Sequence, residues 1–239
     1  TKSFFPLFHT DAAQAFLYFS CDMKELDADL MTLSSQKIYG PKGAGALVIG
    51  ARHQALGISK RETKEGDFLA PNAYSLMPIL TGGGQEFGLR AGTENVPAIA
   101  GFAAAAMYAE RERKKNSDHA RRVRNAFVEA LKKAIPSVEE NGPKDSILAP
   151  HIANISFPSG ISSEDLLVLF DREGIAASPG AACSVRALTL SHVLQAIGVK
   201  DEGIRRTLRF SFGRGISEQK ARDAARKIGA IVRTLTKAM

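Results

Sequence analysis

Two residues of this sequence, an aspartate and a lysine, are the best placed to do chemistry. Asp11 ends the apolar stretch SFFPLFHTD, and Lys37 lies just after the run ADLMTLSS. A lysine amine can form an imine, and a carboxylate can keep a pyridine nitrogen protonated. Glycines at positions 40, 43 and 45 would let a phosphate or a planar ring approach closely. Either residue alone is more simply a turn aspartate or a surface lysine, but their order predicts a pyridoxal phosphate (PLP) site.

Short apolar runs predict the elements that position these residues. SFFPLFHTD, ADLMTLSS and GAGALVIG read as three strands with a helix after the first, which favours an α/β fold with a largely parallel sheet. Ligands of such sheets bind beyond the carboxyl ends of the strands, where Asp11, Gln14, Ser34, Gln36 and Lys37 are expected. Residues 50–84 are polar and rich in Gly, Pro and Asn, so they predict a long loop.

A long helix and a second α+β region follow. The stretch from Thr93 to Ile135 predicts one helix, buried in its Ala-rich first part and amphipathic later, with Val123, Phe127, Ala130 and Leu131 on one face. HIANISFPS and TLRFSFGR predict strands, and Ser162 or Ser163 and Ser217 predict the N-caps of two helices. The buried stripe predicted for the last helix is Ala221, Ala224, Ile228, Ile231 and Leu235. We therefore expect two domains, over residues 1–110 and 111–239.

Composition and charge narrow the functional classes. The net charge of +7 is a weak sign of an acidic partner, but the basic stretch around Arg111–Asn125 is interleaved with acids and predicts a solvated helix face rather than a nucleic-acid site. Two distant cysteines fit a reducing cytosol. No apolar run approaches the length of a membrane span, and the cysteine usage leads us to expect a cytoplasmic protein. His9 and His192 have no partners at metal-ligand spacing, so no metal site is predicted.

The two cysteines differ in their surroundings. Cys183 lies in AASPGAACSVRAL, whose small residues predict a mobile loop, and Arg186 would favour the thiolate. For an arbitrary free cysteine, burial is the more common outcome. The neighbours of Cys183 favour instead an exposed, reactive thiol, whereas Cys21 is expected to be structural.

Five blocks of the sequence resemble, in order, those of the cysteine desulfurases, which are class V members of the fold-type I PLP enzymes. The blocks are FHTDAAQ, SSQKIYGPKGAGAL, GGGQEFGLRAGTENVPAIAGF, SPGAACSVRALTLSHVLQAIGV and TLRFSFGR. They run in the family order from the first residues to about Arg214, and several blocks in register are far more specific than one glycine-rich match. The resemblance implies the C-terminal part of a fold-type I enzyme, with a partial large domain and a smaller α+β domain.

The resemblance also implies a role for each matching residue. Lys37 would be the Schiff-base lysine, Asp11 the partner of the pyridine nitrogen, and Gln14 a contact of the ring hydroxyl. Ser34 and Gln36 would bind the phosphate, and Thr93 would reach the phosphate of a neighbouring subunit in a homodimer. Arg209 would clamp the carboxylate of L-cysteine, and Cys183 would take its sulfur as a persulfide for a sulfur-acceptor or scaffold protein.

The chain departs from the family pattern in three ways. Gln36 stands where most desulfurases have a histidine, and Phe87 where a basic or polar residue is usual. Counterparts of the family's phosphate loop, stacking histidine and asparagine near the ring hydroxyl are absent, which predicts a piece of a longer protein. The sequence leaves two other functions open, a selenocysteine lyase-like class V enzyme and a non-catalytic remnant that binds a partner.

Overall fold

The chain folds as two units that divide within one long helix. The computed structural model describes residues 7–50, 77–143, 148–179 and 190–238. The first unit is Thr1–Arg113 and the second is Lys114–Met239. Most of the loop predicted over residues 50–84 lies outside the described residues.

Three short strands form the sheet of the first unit. They are β1 (His9–Asp11), β2 (Leu30–Ser34) and β3 (Gly45–Ile49), in the order β1-β2-β3. β2 and β3 lie where the apolar runs predicted them, whereas β1 covers only the polar end of its run among the described residues and is largely exposed. β1 pairs parallel to β2, whereas β3 pairs antiparallel to β2. The largely parallel pattern thus holds for one of these two pairings. The connection from β2 to β3 is short, and a short connection returns the chain antiparallel.

The segment between β1 and β2 forms successive turns instead of the predicted helix. The Phe16 N–H donates to Ala12 O, four residues back, over 3.2 Å, whereas the Tyr18 N–H donates to Ala15 O, only three residues back, over 2.8 Å. The segment therefore lacks the constant four-residue hydrogen-bond spacing of an α-helix. Four consecutive large apolar residues, 16–19, give this segment no single apolar face. A regular amphipathic helix could not bury them all on one side.

The long helix α1 (Val96–Ala134) confirms the helix predicted from Thr93 to Ile135. The prediction that its Ala-rich first part is buried is wrong. Ala98, Phe102 and Ala109 are buried, but Ile99 is 44% exposed and Met107 is 76% exposed. This part of α1 packs on the segment that follows β2, since a Cβ on Gly40 would lie 3.0 Å from the Ala105 Cβ and one on Gly101 would lie 2.8 Å from Pro41 Cγ. Only one stripe of the helix is buried there.

A second, antiparallel sheet forms the second unit. It contains β4 (Glu139–Glu140), β5 (Ile152–Ser156) and β6 (Thr207–Ser211), in that order, and β5 and β6 confirm the two predicted strands. Its helices are α2 (Ser163–Arg172), α3 (His192–Ala196), α4 (Asp201–Arg205) and α5 (Glu218–Ala238). No helix within the described residues is both long and apolar enough to cross a membrane.

Aromatic rings fill the core of the second unit. The Phe127 ring of α1 lies 4.7 Å from that of Phe210 and 5.2 Å from that of Phe212, measured between centroids. Phe157 and Phe170 meet edge to face at 5.9 Å. The apolar face predicted for the later part of α1 is confirmed, with Val123, Phe127 and Leu131 buried and Ala130 packed against this core.

The ends and the packing of the last helices also follow the sequence. The Ser162 side chain accepts a hydrogen bond from the Asp165 N–H, and the Ser217 hydroxyl accepts from the Lys220 N–H, so both are N-caps. The predicted stripe of α5 faces the core, which also takes in Ala225 and Val232. α5 approaches the end of α1 closely, since a Cβ on Gly229 would lie 2.6 Å from the Ala134 Cβ.

One charged residue of the basic stretch in α1 is buried. Arg124 is buried, donates from Nε to Ile152 O over 2.8 Å and forms an ion pair with Glu140. Lys132 joins this pair at 3.2 Å from Glu140. The prediction of a wholly solvated face is therefore wrong at Arg124, which ties α1 to β4 and β5.

Candidate functional site

The carboxyl ends of β1 and β2 lie at one edge of the first sheet. The strands are parallel, and Asp11 pairs in register with Thr32, two residues before the end of β2 at Ser34. Gly45, the first residue of β3, pairs with Ser34 at the same edge. The sheet thus gathers the polar residues that follow β1 and β2, as the sequence predicted.

Asp11 and Gln14 follow β1 and are both exposed. One carboxylate oxygen of Asp11 accepts the Ala13 N–H over 2.9 Å, an Asx turn that holds the side chain close to the backbone. The other oxygen has no hydrogen-bond partner among the described residues. Asp11 therefore presents an anchored carboxylate with one oxygen available to a ligand.

Lys37 belongs to a single 3-10 turn, Ser35–Ile38, that directly follows β2. Ile38 is buried and anchors the turn, while Gln36 and Lys37 are exposed. The turn ends at Tyr39 in the left-handed conformation (φ 67°), and the Gly40 N–H closes it on Ser35 O at 2.9 Å. The described residues give Lys37 no ion pair, so its amine is available at the edge that holds Asp11.

Two adjacent serines have different surroundings at this edge. Ser34 is half-buried, whereas Ser35 is fully buried and its hydroxyl has no partner among the described residues. Gly40 covers Ser35 so closely that a Cβ there would collide with the Ser35 hydroxyl and lie 3.0 Å from the Ala105 Cβ of α1. Of the two, Ser34 is the one that a ligand can reach.

Sequence reasoning missed a polar pair beside Asp11. The His9 Nε2 and Thr32 Oγ1 atoms lie 2.8 Å apart across β1 and β2. The sequence pattern places His9 at the end of a strand without a partner at metal-ligand spacing and does not indicate a contact with Thr32. A polar residue two positions from Asp11 would lie on the same face of the strand, which is the signal that could have found this pair.

Thr93 is exposed in the segment that leads into α1. Near it, the Asn95 side chain accepts the Ala98 N–H over 3.2 Å and caps the helix, and the Gln85 Oε1 accepts the Gly92 N–H over 3.1 Å. Phe87, in the same segment, is 66% exposed and has a positive φ of 58°. No hydrogen bond among the described residues joins Thr93 to the sheet edge.

Arg209 lies in β6 of the second unit and is half-buried. Its N–H donates to Ser178 O over 2.7 Å, and the Ser178 N–H donates to Arg209 O over 3.1 Å. Burial, and to a lesser extent the charge of Arg209, lower the pKa of His151 to about 4. His151 is therefore neutral near pH 7, and Arg209 carries the positive charge of this pair.

The two cysteines can be compared only in part. Cys183 lies outside the described residues, five positions after Ser178 in the sequence. Cys21 is half-buried, and burial raises the pKa of its thiol despite the opposing charge of Arg113. A thiol with a raised pKa is a poor nucleophile near neutral pH. This agrees with the structural role expected for Cys21.

The structure thus brings five of the eight predicted site residues to one edge of the first sheet: Asp11, Gln14, Ser34, Gln36 and Lys37. It does not join Thr93 to that group by a described contact, and Arg209 belongs to the second unit. The edge presents an amine, a carboxylate, an amide and a hydroxyl. These groups can bind a phosphate and a ring nitrogen and can hold an aldehyde covalently.

Comparison with known proteins gives one consistent family. The Aminotransferase class-V family profile matches residues 6–221. Cysteine desulfurase IscS of Clostridium botulinum (strain Hall) is 36% identical over 213 residues, which are 89% of this chain and 48% of that protein. Cysteine desulfurase IscS 1 of Archaeoglobus fulgidus is 37% identical over 206 residues, 86% of this chain and 48% of that protein.

Solved structures agree on the fold. A NifS-like protein from Rickettsia africae superposes with a TM-score of 0.75 at 25% identity, over 95% of this chain and 54% of that one. The mixed α/β architecture is therefore that of part of a NifS-like, fold-type I enzyme. The chain spans about half the length of the curated relatives that it matches.

Proposed function

The chain belongs to the class-V aminotransferase family, and on this premise we propose that it carries residues of a PLP-dependent cysteine desulfurase, an enzyme that converts L-cysteine to L-alanine. The observation that carries the proposal is the exposed Lys37 amine at the same sheet edge as the anchored carboxylate of Asp11. Relatives at 36–37% identity that are named cysteine desulfurases support it. The activity is proposed for the whole protein, of which this chain spans about half the length of its relatives.

The donor set at the sheet edge fits PLP. Lys37 would hold the cofactor covalently, Asp11 would pair with its ring nitrogen, and Gln14 would contact its ring hydroxyl. Ser34 and Gln36 would bind the phosphate, with Thr93 contributing from the neighbouring subunit of a homodimer. When bound, PLP supplies an electron sink for the carbon atoms of the substrate.

Gln36 limits the proton chemistry available beside Lys37. An amide side chain can donate a hydrogen bond to a phosphate, but it does not titrate near neutral pH. Proton transfer at this edge is therefore assigned to the Lys37 amine, and Gln36 has a binding role only.

Arg209 and Cys183 would act on the substrate itself. A guanidinium binds a carboxylate through two parallel hydrogen bonds, which would hold L-cysteine by its carboxylate. The Cys183 thiolate would attack the sulfur of L-cysteine, and the carbon–sulfur bond would break with its electron pair left on carbon. That carbon takes up a proton to give L-alanine, and the sulfur stays on Cys183 as a persulfide.

The persulfide requires an acceptor. We assign it to a sulfur-acceptor or scaffold protein, in iron–sulfur cluster assembly or thiolation, and place the protein in the cytoplasm. Support comes from the cysteine usage of the chain and from the length of the segment around Cys183, which resembles that of desulfurases that deliver sulfur to scaffold proteins.

The cofactor site is tested by the variant Lys37→Ala, with Lys42→Ala as its matched control. Lys42 is also exposed and lies five residues further on, so the control reports nonspecific reaction of PLP with surface amines. The imine absorbance formed with PLP should vanish in Lys37→Ala and persist in Lys42→Ala. Equal absorbance in both variants would contradict the assignment of Lys37.

The sulfur chemistry is tested by the mass of the protein after incubation with PLP and L-cysteine. We expect one added sulfur atom on Cys183 and none in Cys183→Ser, which should still bind PLP. Full release of sulfide by Cys183→Ser would point to a lyase of the selenocysteine type. PLP binding without any persulfide would point to a non-catalytic remnant.

A further inference from the structure

Two side chains with available donors lie opposite each other in the second unit. Arg209 of β6 pairs in register with Asn154 of β5. No hydrogen bond or ion pair engages the guanidinium of Arg209 within the described residues, although the residue is half-buried. A half-buried cation without an anionic partner is a natural site for an anionic ligand.

The pairing geometry brings these two side chains close together. The Phe157 N–H donates to Arg206 O and the Phe212 N–H donates to His151 O, which are the hydrogen-bonded positions of this ladder. Alternation places Asn154 and Arg209 at a non-hydrogen-bonded position, where facing side chains approach most closely, with Cα atoms about 4.5 Å apart. The same holds for Ser156 and Thr207, whose hydroxyl oxygens lie 2.7 Å apart on the same face.

A one-way chain of hydrogen bonds sets the orientation of the Asn154 amide. Gly203 O can only accept, so the Thr207 hydroxyl donates to it over 2.7 Å. Thr207 must then accept from the Ser156 hydroxyl, which leaves Ser156 able only to accept from the Asn141 amide nitrogen at 2.8 Å. The second N–H of that nitrogen donates to Asn154 over 2.8 Å, so the atom of Asn154 that faces it is Oδ1.

This series of hydrogen bonds leaves the amide nitrogen of Asn154, Nδ2, without an acceptor among the described residues. Its Oδ1 is occupied by Asn141, and its Nδ2 has no hydrogen-bond partner among the described residues. A fixed amide donor beside a guanidinium matches the two oxygens of a carboxylate. Near pH 7 His151 is neutral, because burial and the charge of Arg209 lower its pKa to about 4, so Arg209 is the charged group of the two.

We propose that Asn154, oriented by Asn141, is a second donor for the substrate carboxylate and forms a two-residue subsite with Arg209. This inference rests on the proposed function, since it takes the carboxylate of an amino acid as the ligand. The subsite would select amino acids over the corresponding amines, because only the carboxylate engages both donors.

The test is a titration of the whole 15N-labelled chain followed by NMR. The probe is L-alanine, which carries the carboxylate but no reactive sulfur, and ethylamine is the same molecule without the carboxylate. We expect saturable shifts of the Arg209 and Asn154 amide signals with L-alanine and none with ethylamine.

The variant Asn154→Asp tests the donor atom of this side chain separately from its acceptor atom. An aspartate oxygen can still accept from Asn141, so the fold is kept, but the donor is lost and a negative charge stands beside Arg209. L-alanine should bind at least about tenfold more weakly. Asn154→Ala, which removes the donor without adding charge, should weaken binding by a smaller factor. Asn125→Asp, the same change at an exposed site of this unit, should bind like wild type.

Arg209→Gln distinguishes the failure of this inference from that of the proposed function. If Arg209→Gln loses L-alanine binding while both Asn154 variants bind like wild type, the role of Asn154 is overturned and Arg209 stands. If Arg209→Gln binds like wild type, the proposed role of Arg209 is wrong. A wild-type chain that shows no shift with L-alanine would overturn both assignments.

Discussion

The two units of this chain differ in how they use their apolar residues. The second unit buries a continuous core of 19 residues between its sheet, α2, α5 and the later part of α1. Of the 16 large apolar residues that are exposed within the described chain, 13 belong to the first unit. The first unit therefore exposes large apolar side chains, whereas the second unit buries most of its own.

The extent of apolar burial indicates which contacts stabilise each unit. Burial of apolar area contributes about 25 cal/mol per Å², so the second unit is stabilised by its own core. The first unit buries only one stripe of the early part of α1 and leaves 13 large apolar side chains exposed among its described residues, so burial contributes less to its stability. The predicted cofactor edge lies in the unit that exposes more of its large apolar side chains.

The largest expected effect comes from emptying the closed core. Phe210→Ala removes a ring that contacts three others, and it should lower the free energy of unfolding by about 3–5 kcal/mol. Phe87→Ala in the first unit should change it by no more than about 0.5 kcal/mol, since Phe87 is mostly exposed. Urea unfolding followed by circular dichroism measures both. Equal losses would erase the contrast between the units.

A smaller effect is expected where two helices of the second unit touch. Gly229→Val would force atoms into the space held by Ala134, and the expected destabilisation is about 1–3 kcal/mol. The control is Ala230→Val, the next residue of α5, which is exposed and should lose only about 0.5 kcal/mol of helix propensity. Thermal unfolding of the two variants separates crowding from propensity.

The free energy of unfolding of the second unit should also depend on pH, through His151. Unfolded His151 binds a proton below about pH 6.5, but folded His151 does so only below about pH 4, so the unfolded state holds more protons in between. Stability should fall by on the order of 1–2 kcal/mol as the pH drops through this window, with partial solvent screening allowed for. Denaturant midpoints at several pH values test this. His151→Gln should remove the step, and an unchanged step would contradict the assignment.

The smallest change in stability is expected on the open face of the first unit. Met107→Glu and Ile99→Glu alter exposed positions of α1, so the free energy of unfolding should shift by no more than about 0.5 kcal/mol. Both should reduce self-association in sedimentation velocity, because they remove exposed apolar surface. Phe102→Glu, on the buried stripe of the same helix, should instead destabilise the chain strongly. Loss of stability in all three variants would mean that the open face is covered.

Much of the fold could be predicted because local patterns agree with tertiary packing in the second unit. The caps Ser162 and Ser217 and the stripe of α5 are local signals, and the core accepts them unchanged. The Ala-rich part of α1 was wrongly predicted to be buried, because an apolar composition does not say which side a partner covers. Arg124 was wrongly placed in solvent, because its partners Ile152 and Glu140 are distant in sequence.

In the candidate site, too, some features could be predicted from the sequence and others could not. Lys37, Asp11 and Arg209 stood out by residue type and order, which are properties of the sequence alone. The pairing of His9 with Thr32, the covering of Ser35 by Gly40 and the orientation of the Asn154 amide depend on strand register. None of these could be read from a single segment.

The chemical groups of this protein and their order along the chain follow from its amino-acid sequence alone. The sequence also determined its short elements, since side-chain period and capping act over a few residues. Tertiary packing, in contrast, sets the antiparallel direction of β3, the contact of His9 with Thr32, and the position of Asn154 opposite Arg209. These outcomes depend on contacts between distant segments, and such contacts form only when the whole unit packs.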